Sequence, residues 1–250
     1  MTIADRSQIT GSGLRTGTPV PTPSFTNAHV LLQAGTSMNR PVSVDGEPGT
    51  GKTTCVVYTA ELIDRPVAIV TMPARPSPND LMRFAYEAVT GKKTPKATNF
   101  FVSELLLEAV RDWGGVLVVD EVQHCRPDVI GQLVWLFERA QRSFGLVLVG
   151  HGVEAAIDRE PHARERVQTR VRFERLTGKD MIACVKDLDP RFAHTSNGAL
   201  AVHDDLLCRG LLRRWTQTAE WLDMLNVDGP VTADTLAQIR GFISVRKENL

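Results

Sequence analysis

The stretch GEPGTGKTT, residues 46–54, decides the fold. Gly46, four further residues and then Gly51, Lys52 and Thr53 spell the phosphate-binding loop pattern of a glycine, four residues and Gly-Lys-Ser/Thr. Glycines let consecutive backbone N–H groups turn inward around a phosphate, and the helix that follows presents its positive N-terminal end to the same charge. In this reading Gly46, Glu47, Pro48, Gly49, Thr50, Gly51 and Thr54 wrap the phosphates. Lys52 reaches the β- and γ-phosphates, and the Thr53 hydroxyl ligates Mg²⁺. The context agrees: PVSVD at 41–45 is strand-like, and 53–63 has the composition of a helix. The loop is therefore read as a nucleoside triphosphate site.

Working outward, the second half of such a site lies about 70 residues on. The run VLVVDE at 116–121 holds four consecutive apolar β-formers that end in two acids. A strand of that kind is buried on both faces. It delivers Asp120 beside Thr53, to hold Mg²⁺ through water, and Glu121 beyond it, to polarise the attacking water. VAIVT at 67–71, bounded by Pro66 and Pro73, is another buried strand, and GLVLV at 145–149 is a fourth, ending at Gly150-His151-Gly152. His151 stands where a polar residue would meet the attacking water or the γ-phosphate; a structural role beside the glycine turn is the alternative.

Helical spacing predicts elements over 25–34, 78–89, 99–113 and 126–142. The loop GKKTPK at 91–96 puts Lys92, Lys93 and Lys96 together, either as a solvated turn or as a contact for DNA phosphates. From residue 159 the chain is rich in arginine, and the alternation VRFERL at 171–176 predicts the fifth strand. Arg170, just before that strand, is the candidate for a cation delivered in trans to the γ-phosphate of a neighbouring subunit, with Arg166 next in line. The charged-surface alternative is that these arginines balance Glu160, Glu165 and Glu174. Beyond Thr177 the pattern is helical, with segments over 179–188, 199–208, 210–226 and 232–245. Leu211, Trp215, Ala219 and Leu222 would form the core of that bundle, Thr232 would cap the last helix, and Arg213 would approach the γ-phosphate.

Bulk properties narrow the class. The chain has 250 residues, 42% hydrophobic and 23% charged, with a formal net charge of zero, which is an ordinary globular composition. Zero net charge argues against a tail-driven nucleic-acid binder and leaves local basic patches to matter. Cys55, Cys125, Cys184 and Cys208 show no metal-ligand spacing, so they are expected to pack as small apolar residues in a reducing, cytoplasmic setting. No run approaches the roughly 18 apolar residues of a membrane span, and no apolar leader follows the polar opening MTIADRSQ. Residues 1–24, rich in Thr, Ser, Gly and Pro, are expected to form a flexible arm.

Taken together, the phosphate-binding loop, the Val-Val-Asp-Glu strand, the fourth strand ending in a polar turn, the arginine before a fifth strand and the Gly-x-x-Arg of the helical region resemble the AAA+ ATPases. The resemblance covers about residues 25–245. It implies an α/β fold, a P-loop three-layer sandwich with a five-stranded parallel sheet, over 25–176, plus a small C-terminal helical lid over 177–250. Within that superfamily GEPGTGKTT, DEVQH at 120–124, GLVLVGHG at 145–152, PTPSF at 21–25 and TMPARPSPNDL at 71–81 look similar to the DNA-transposition ATPases of the phage Mu protein B and TniB/TnsC kind. That likeness implies ATP and Mg²⁺ as cofactors, with Lys52 and Thr53 holding phosphate and metal, Asp120 and Glu121 as the acidic pair, and Arg170 as the trans-acting arginine. It also implies a homo-oligomer, filament or ring, on double-stranded DNA that recruits a transposase or integrase. One position departs from the pattern: where the family shows a small polar residue near the fourth strand's end, this chain reads Gly150-His151.

Two other functions compete. A helicase loader or replication initiator would use the same core, although no helix-turn-helix appendage is recognisable in the sequence. A small-molecule P-loop kinase would need an acceptor pocket and has no use for a water-polarising Glu121.

Overall fold

A computed structural model describes residues 19–247, and side chains through residue 243. The expectation of a flexible arm falls mostly on residues 1–18, outside the described residues. The described chain divides into two compact units, one comprising 24–48 and 52–173, the other 19–23, 49–51 and 174–247.

The first unit is built on five parallel strands: β1 (Val42–Gly46), β2 (Val67–Thr71), β3 (Val116–Asp120), β4 (Gly145–Gly150) and β5 (Thr169–Phe173). Their order across the sheet is β2-β3-β4-β1-β5. Register aligns Thr71 with Asp120 and Asp45 with Gly150, so Gly46, Asp120 and Gly150 all lie at the sheet's C-terminal edge. Ligands of open α/β sheets bind at that edge.

The uninterrupted apolar strands are explained by helices on both faces. Val116 and Val118 point to one face, where they join Val42, Val44, Val147, Val149 and Val171. There they meet Phe25, Ala28 and Leu32 of α1 (Pro23–Ser37) and Cys55 and Val56 of α2 (Lys52–Leu62). Leu117, Val119, Leu146 and Leu148 point to the other face. That face is covered by α3 (Pro78–Thr90), α4 (Asn99–Arg111) and α5 (Pro127–Arg139), with the short α6 (Val153–Asp158) and α7 (Pro161–Arg166) after β4. Every side chain of β3 is buried, so a charge at any apolar position of that strand would stand in one core or the other.

Local chemistry sets the helix ends. Ser77 caps α3 in a reciprocal box: its Oγ accepts the Asp80 N–H at 3.2 Å, and Asp80 Oδ2 accepts the Ser77 N–H at 2.9 Å. These bonds hold the Asp80 carboxyl below the usual carboxylate range. Pro78 and Pro127 occupy first-turn positions that need no N–H donor.

The fifth strand corrects the sequence reading. It runs over Thr169–Phe173 rather than 171–176, so Arg170 is inside the strand and not ahead of it. The cause is its partner. β1 pairs Val42 through Gly46 with Thr169 through Phe173, and β1 stops at Gly46, so residues 174–176 have no ladder to join. Helix α1 also extends past the expected 25–34 at both ends.

The second unit holds α8 (Gly178–Leu188), α9 (Asn197–His203), α10 (Leu212–Met224) and α11 (Ala233–Lys247). Its apolar core gathers Met181, Leu188, Phe192, Leu200, Trp215, Leu222, Leu236 and Ile239. The helix expected over 199–208 ends at His203 and widens into a π turn, Asp204–Cys208. Asp204 explains the change: its carboxylate accepts the Gly210 N–H at 2.9 Å and the Trp215 indole N–H at 2.9 Å, tying the turn to the start of α10. Thr232 accepts the Thr235 N–H at 3.2 Å, as its capping role requires.

All four cysteines are buried free thiols. Burial pushes Cys55 and Cys125 up to about 11 and Cys208 up to about 12, so they behave as apolar packing. Among the described residues no helix is long and apolar enough to cross a membrane.

Candidate nucleotide site

In the first unit, β1 ends abruptly at Gly46. A Cβ added at Gly46 would come within 2.5 Å of the Phe173 carbonyl oxygen, so only glycine lets the chain leave β1 this close to β5. Gly49 and Gly51 follow at φ of 88° and 101°, conformations that side chains with a Cβ rarely adopt. Helix α2 begins at Lys52, which points its amide dipoles back toward the loop.

Lys52 is buried, and its ammonium donates to the carbonyls of Gly46 at 2.6 Å and Glu47 at 2.8 Å. The next residue, Thr53, donates its hydroxyl to Asp120 Oδ2 at 3.0 Å. Asp120 is buried at the end of β3, and its other oxygen accepts the Glu121 N–H at 2.8 Å. A loop and a strand 67 residues apart thus place one hydroxyl and one carboxylate side by side.

These residues fit a nucleotide with Mg²⁺. Magnesium prefers hard oxygen donors, keeps much of its water and takes one or two protein oxygens beside phosphate. Thr53 Oγ1 and Asp120 Oδ2 are such a pair, and among the described residues no cluster of three or more His, Cys, Asp or Glu competes as a metal cage. A buried ammonium held by two backbone carbonyls is ready to exchange them for phosphate oxygens.

Glu121 leaves the strand in the left-handed conformation, φ 61° and ψ 35°. Its carboxylate accepts a hydrogen bond from the Gln123 amide. Gln123 Oε1 in turn accepts the His151 N–H at 3.0 Å, where β4 ends. The His151 ring is exposed, and it is the backbone of His151 that joins this network. On the other side of the turn Asp45 accepts the N–H groups of Gly152 at 2.7 Å and Glu154 at 3.1 Å, which caps α6 from outside the helix. Neither Gln123 nor Asp45 is a candidate from sequence. Gln123 in DEVQH was the available signal, but its reach to β4 depends on strand register.

Other predicted positions fall elsewhere. Arg170 donates to Asp158 Oδ1 at 2.8 Å and to the Val167 carbonyl at 3.3 Å, within its own chain. That ion pair raises the Arg170 guanidinium and lowers Asp158 from their ordinary values. Arg166 is likewise paired, with Glu138 at 3.0 Å. Lys92, Lys93 and Lys96 are exposed on the loop after α3. The loop is fastened at Thr94, whose N–H and hydroxyl each donate to Glu87 at 2.9 Å. Arg213 belongs to the second unit, where its N–H donates to the Gly49 carbonyl at 3.1 Å.

The fold is of the α/β P-loop type, and the strand-end geometry suits a nucleoside triphosphate. Residues 37–156 match the family described as "AAA domain". The fold is similar to that of Cdc6p from Pyrobaculum aerophilum, at 17% identity and TM-score 0.70, covering 92% of this chain and 69% of that one. It is similar also to the Aeropyrum pernix ORC1 protein in complex with DNA, at 17% identity and TM-score 0.65, over 96% and 69% of the two chains. The Thermotoga maritima RuvB Holliday junction branch migration motor aligns at 17% identity and TM-score 0.58, over 86% and 66%. About a third of each of those chains has no counterpart here. No curated protein sequence matches.

Proposed function

We propose that this ATPase binds ATP with Mg²⁺ at residues 46–54 and 120–121, assembles into a homo-oligomer on double-stranded DNA and recruits a transposase. The observation that carries the nucleotide half is the Thr53–Asp120 hydrogen bond beside the buried Lys52 ammonium. When bound, Mg²⁺ would neutralise charge on the β- and γ-phosphates. Around it, Lys52 would trade its two carbonyls for phosphate, Thr53 and Asp120 would hold the metal, and Glu121 would take a proton from the attacking water.

Support for the DNA half comes from the exposed lysines on a fastened loop and from the likeness of GEPGTGKTT and DEVQH to transposition ATPases. Arg170 is the proposed trans-acting arginine. To serve a neighbouring subunit it must leave Asp158, so its engagement would depend on assembly. A second reading, helicase loader or replication initiator, is supported by the fold of Cdc6p and by the Aeropyrum structure being a complex with DNA.

Electron microscopy of the protein with ATP and either duplex or single-stranded DNA separates the two. The transposition reading expects filaments or rings on duplex, lost in Lys52→Ala. Assembly on single strands, or assembly that ignores ATP, would contradict it.

A further inference from the structure

The end of β4 contributes no polar side chain to the network at Glu121, because Gly150 stands there and His151 is exposed. A side chain from a different element occupies that space. A Cβ built on Gly150 would fall 2.0 Å from Gln123 Oε1 and 3.2 Å from its Cδ, so Gly150 is the vacancy into which the Gln123 amide fits. The amide uses both ends: its oxygen takes the His151 N–H at 3.0 Å, and its nitrogen donates to Glu121 Oε2. The turn that anchors it is itself fixed, since Asp45 holds the Gly152 and Glu154 N–H groups from the opposite side.

We propose that Gln123 is the positioning residue for Glu121, filling the space that Gly150 leaves at the end of β4 and linking the carboxylate to the β4–α6 turn. Glu121 needs such a partner: it sits past the last strand residue, in a left-handed conformation, where β3 pairing no longer controls its direction. Held by one oxygen, the carboxylate keeps a fixed orientation. Any shift of the turn at His151 would be passed to it through one amide. The inference rests on the reading of Glu121 as the group that polarises water.

The test measures steady-state ATP hydrolysis, nucleotide affinity and thermal midpoint for Gln123→Met, Gln123→Ala, Gly150→Ala, the double variant Gly150→Ala/Gln123→Met and Glu121→Gln. Methionine fills the glutamine's volume without either hydrogen bond, so its loss reports positioning rather than packing. The expected result is a fall in kcat of at least about tenfold in Gln123→Met, with nucleotide affinity and thermal midpoint at wild-type values. Gly150→Ala, whose new methyl displaces the amide, should lose a similar factor, and the double variant should lose no more than either single. Wild-type kcat in both Gln123 variants, or losses that multiply in the double variant, would overturn the proposal. Glu121→Gln separates the two readings. If it is inactive while Gln123→Met is fully active, the positioning role fails and the base survives; if Glu121→Gln turns over normally, the base itself is wrong and Gln123 has nothing to position.

Discussion

The two units use the same kinds of charged residue in opposite ways. At the sheet's edge, Lys52, Asp120 and Glu121 are held in part by backbone carbonyls, a hydroxyl and an amide that a ligand can replace or join. In the second unit, Asp189 and Arg191 are almost fully buried and saturate each other. Arg191 donates to Asp189 at 3.0 and 2.7 Å, to the carbonyls of Val227 and Ala219, and pairs with Asp223 at 3.0 Å. His203 is equally enclosed, between the Thr218 hydroxyl at 3.1 Å, the Arg240 guanidinium at 3.2 Å and the tilted Trp215 ring. The lesson is that residue type does not mark a site. What distinguishes the strand ends is polar capacity held by exchangeable partners, whereas the helical unit has spent that of Asp189, Arg191 and His203 on internal partners, most of them side chains.

The comparison breaks most visibly under Asp189→Ala. That change strands a buried guanidinium with only Asp223 and two carbonyls, and a broken buried pair costs about 3–5 kcal/mol. Urea denaturation followed by circular dichroism should register the loss. A shift below about 1 kcal/mol would mean that the pair is dispensable, as exposed pairs are.

Acid is the next probe. Burial, reinforced by Arg240, pushes His203 down to about 4, while an unfolded histidine titrates near 6.5. Between these values the unfolded chain binds the extra proton, so stability is complete above about pH 6.5, declines as pH falls and reaches its full loss near pH 4, amounting to about 3 kcal/mol. In a His203→Gln variant this slope should vanish from the stability–pH curve between pH 6.5 and 4. Persistence of the slope would place the titration elsewhere.

The smallest effect on stability concerns charges that are neither enclosed nor at the strand ends. Replacing Lys92, Lys93 and Lys96 by alanine should change folding free energy by less than about 0.5 kcal/mol. It should nevertheless lower the salt dependence of duplex affinity by about one unit of slope for each lysine that meets a phosphate. An unchanged slope would return the loop to an ordinary solvated turn.

Much of this was legible in the sequence where function depends on spacing along the chain. GEPGTGKTT had to be a strand, a loop and a helix, and VLVVDE had to be a central strand, because each motif carries its own geometry. Boundaries that depend on a partner were less legible. The alternation VRFERL suggested a strand over 171–176, but β5 ends at Phe173 because β1 ends at Gly46. The helical run through Cys208 hid a π turn whose cause, the Asp204 contacts to Gly210 and Trp215, lies 6 and 11 residues away. Gln123 and Asp45 were invisible for the same reason. Their contacts at the β4–α6 turn span 28 and 107 residues and exist only once the strand order is set.

If the loop at 46–54 and the acids at 120–121 form one hydrolytic site, loss of the Glu121 carboxylate must separate nucleotide binding from turnover. The most direct test is ATP binding and turnover by Glu121→Gln beside the wild type, in the presence of Mg²⁺ and duplex DNA. Nucleotide affinity should be unchanged and turnover reduced by about 10²-fold or more, as loss of a general base requires. Wild-type turnover in that variant would contradict it.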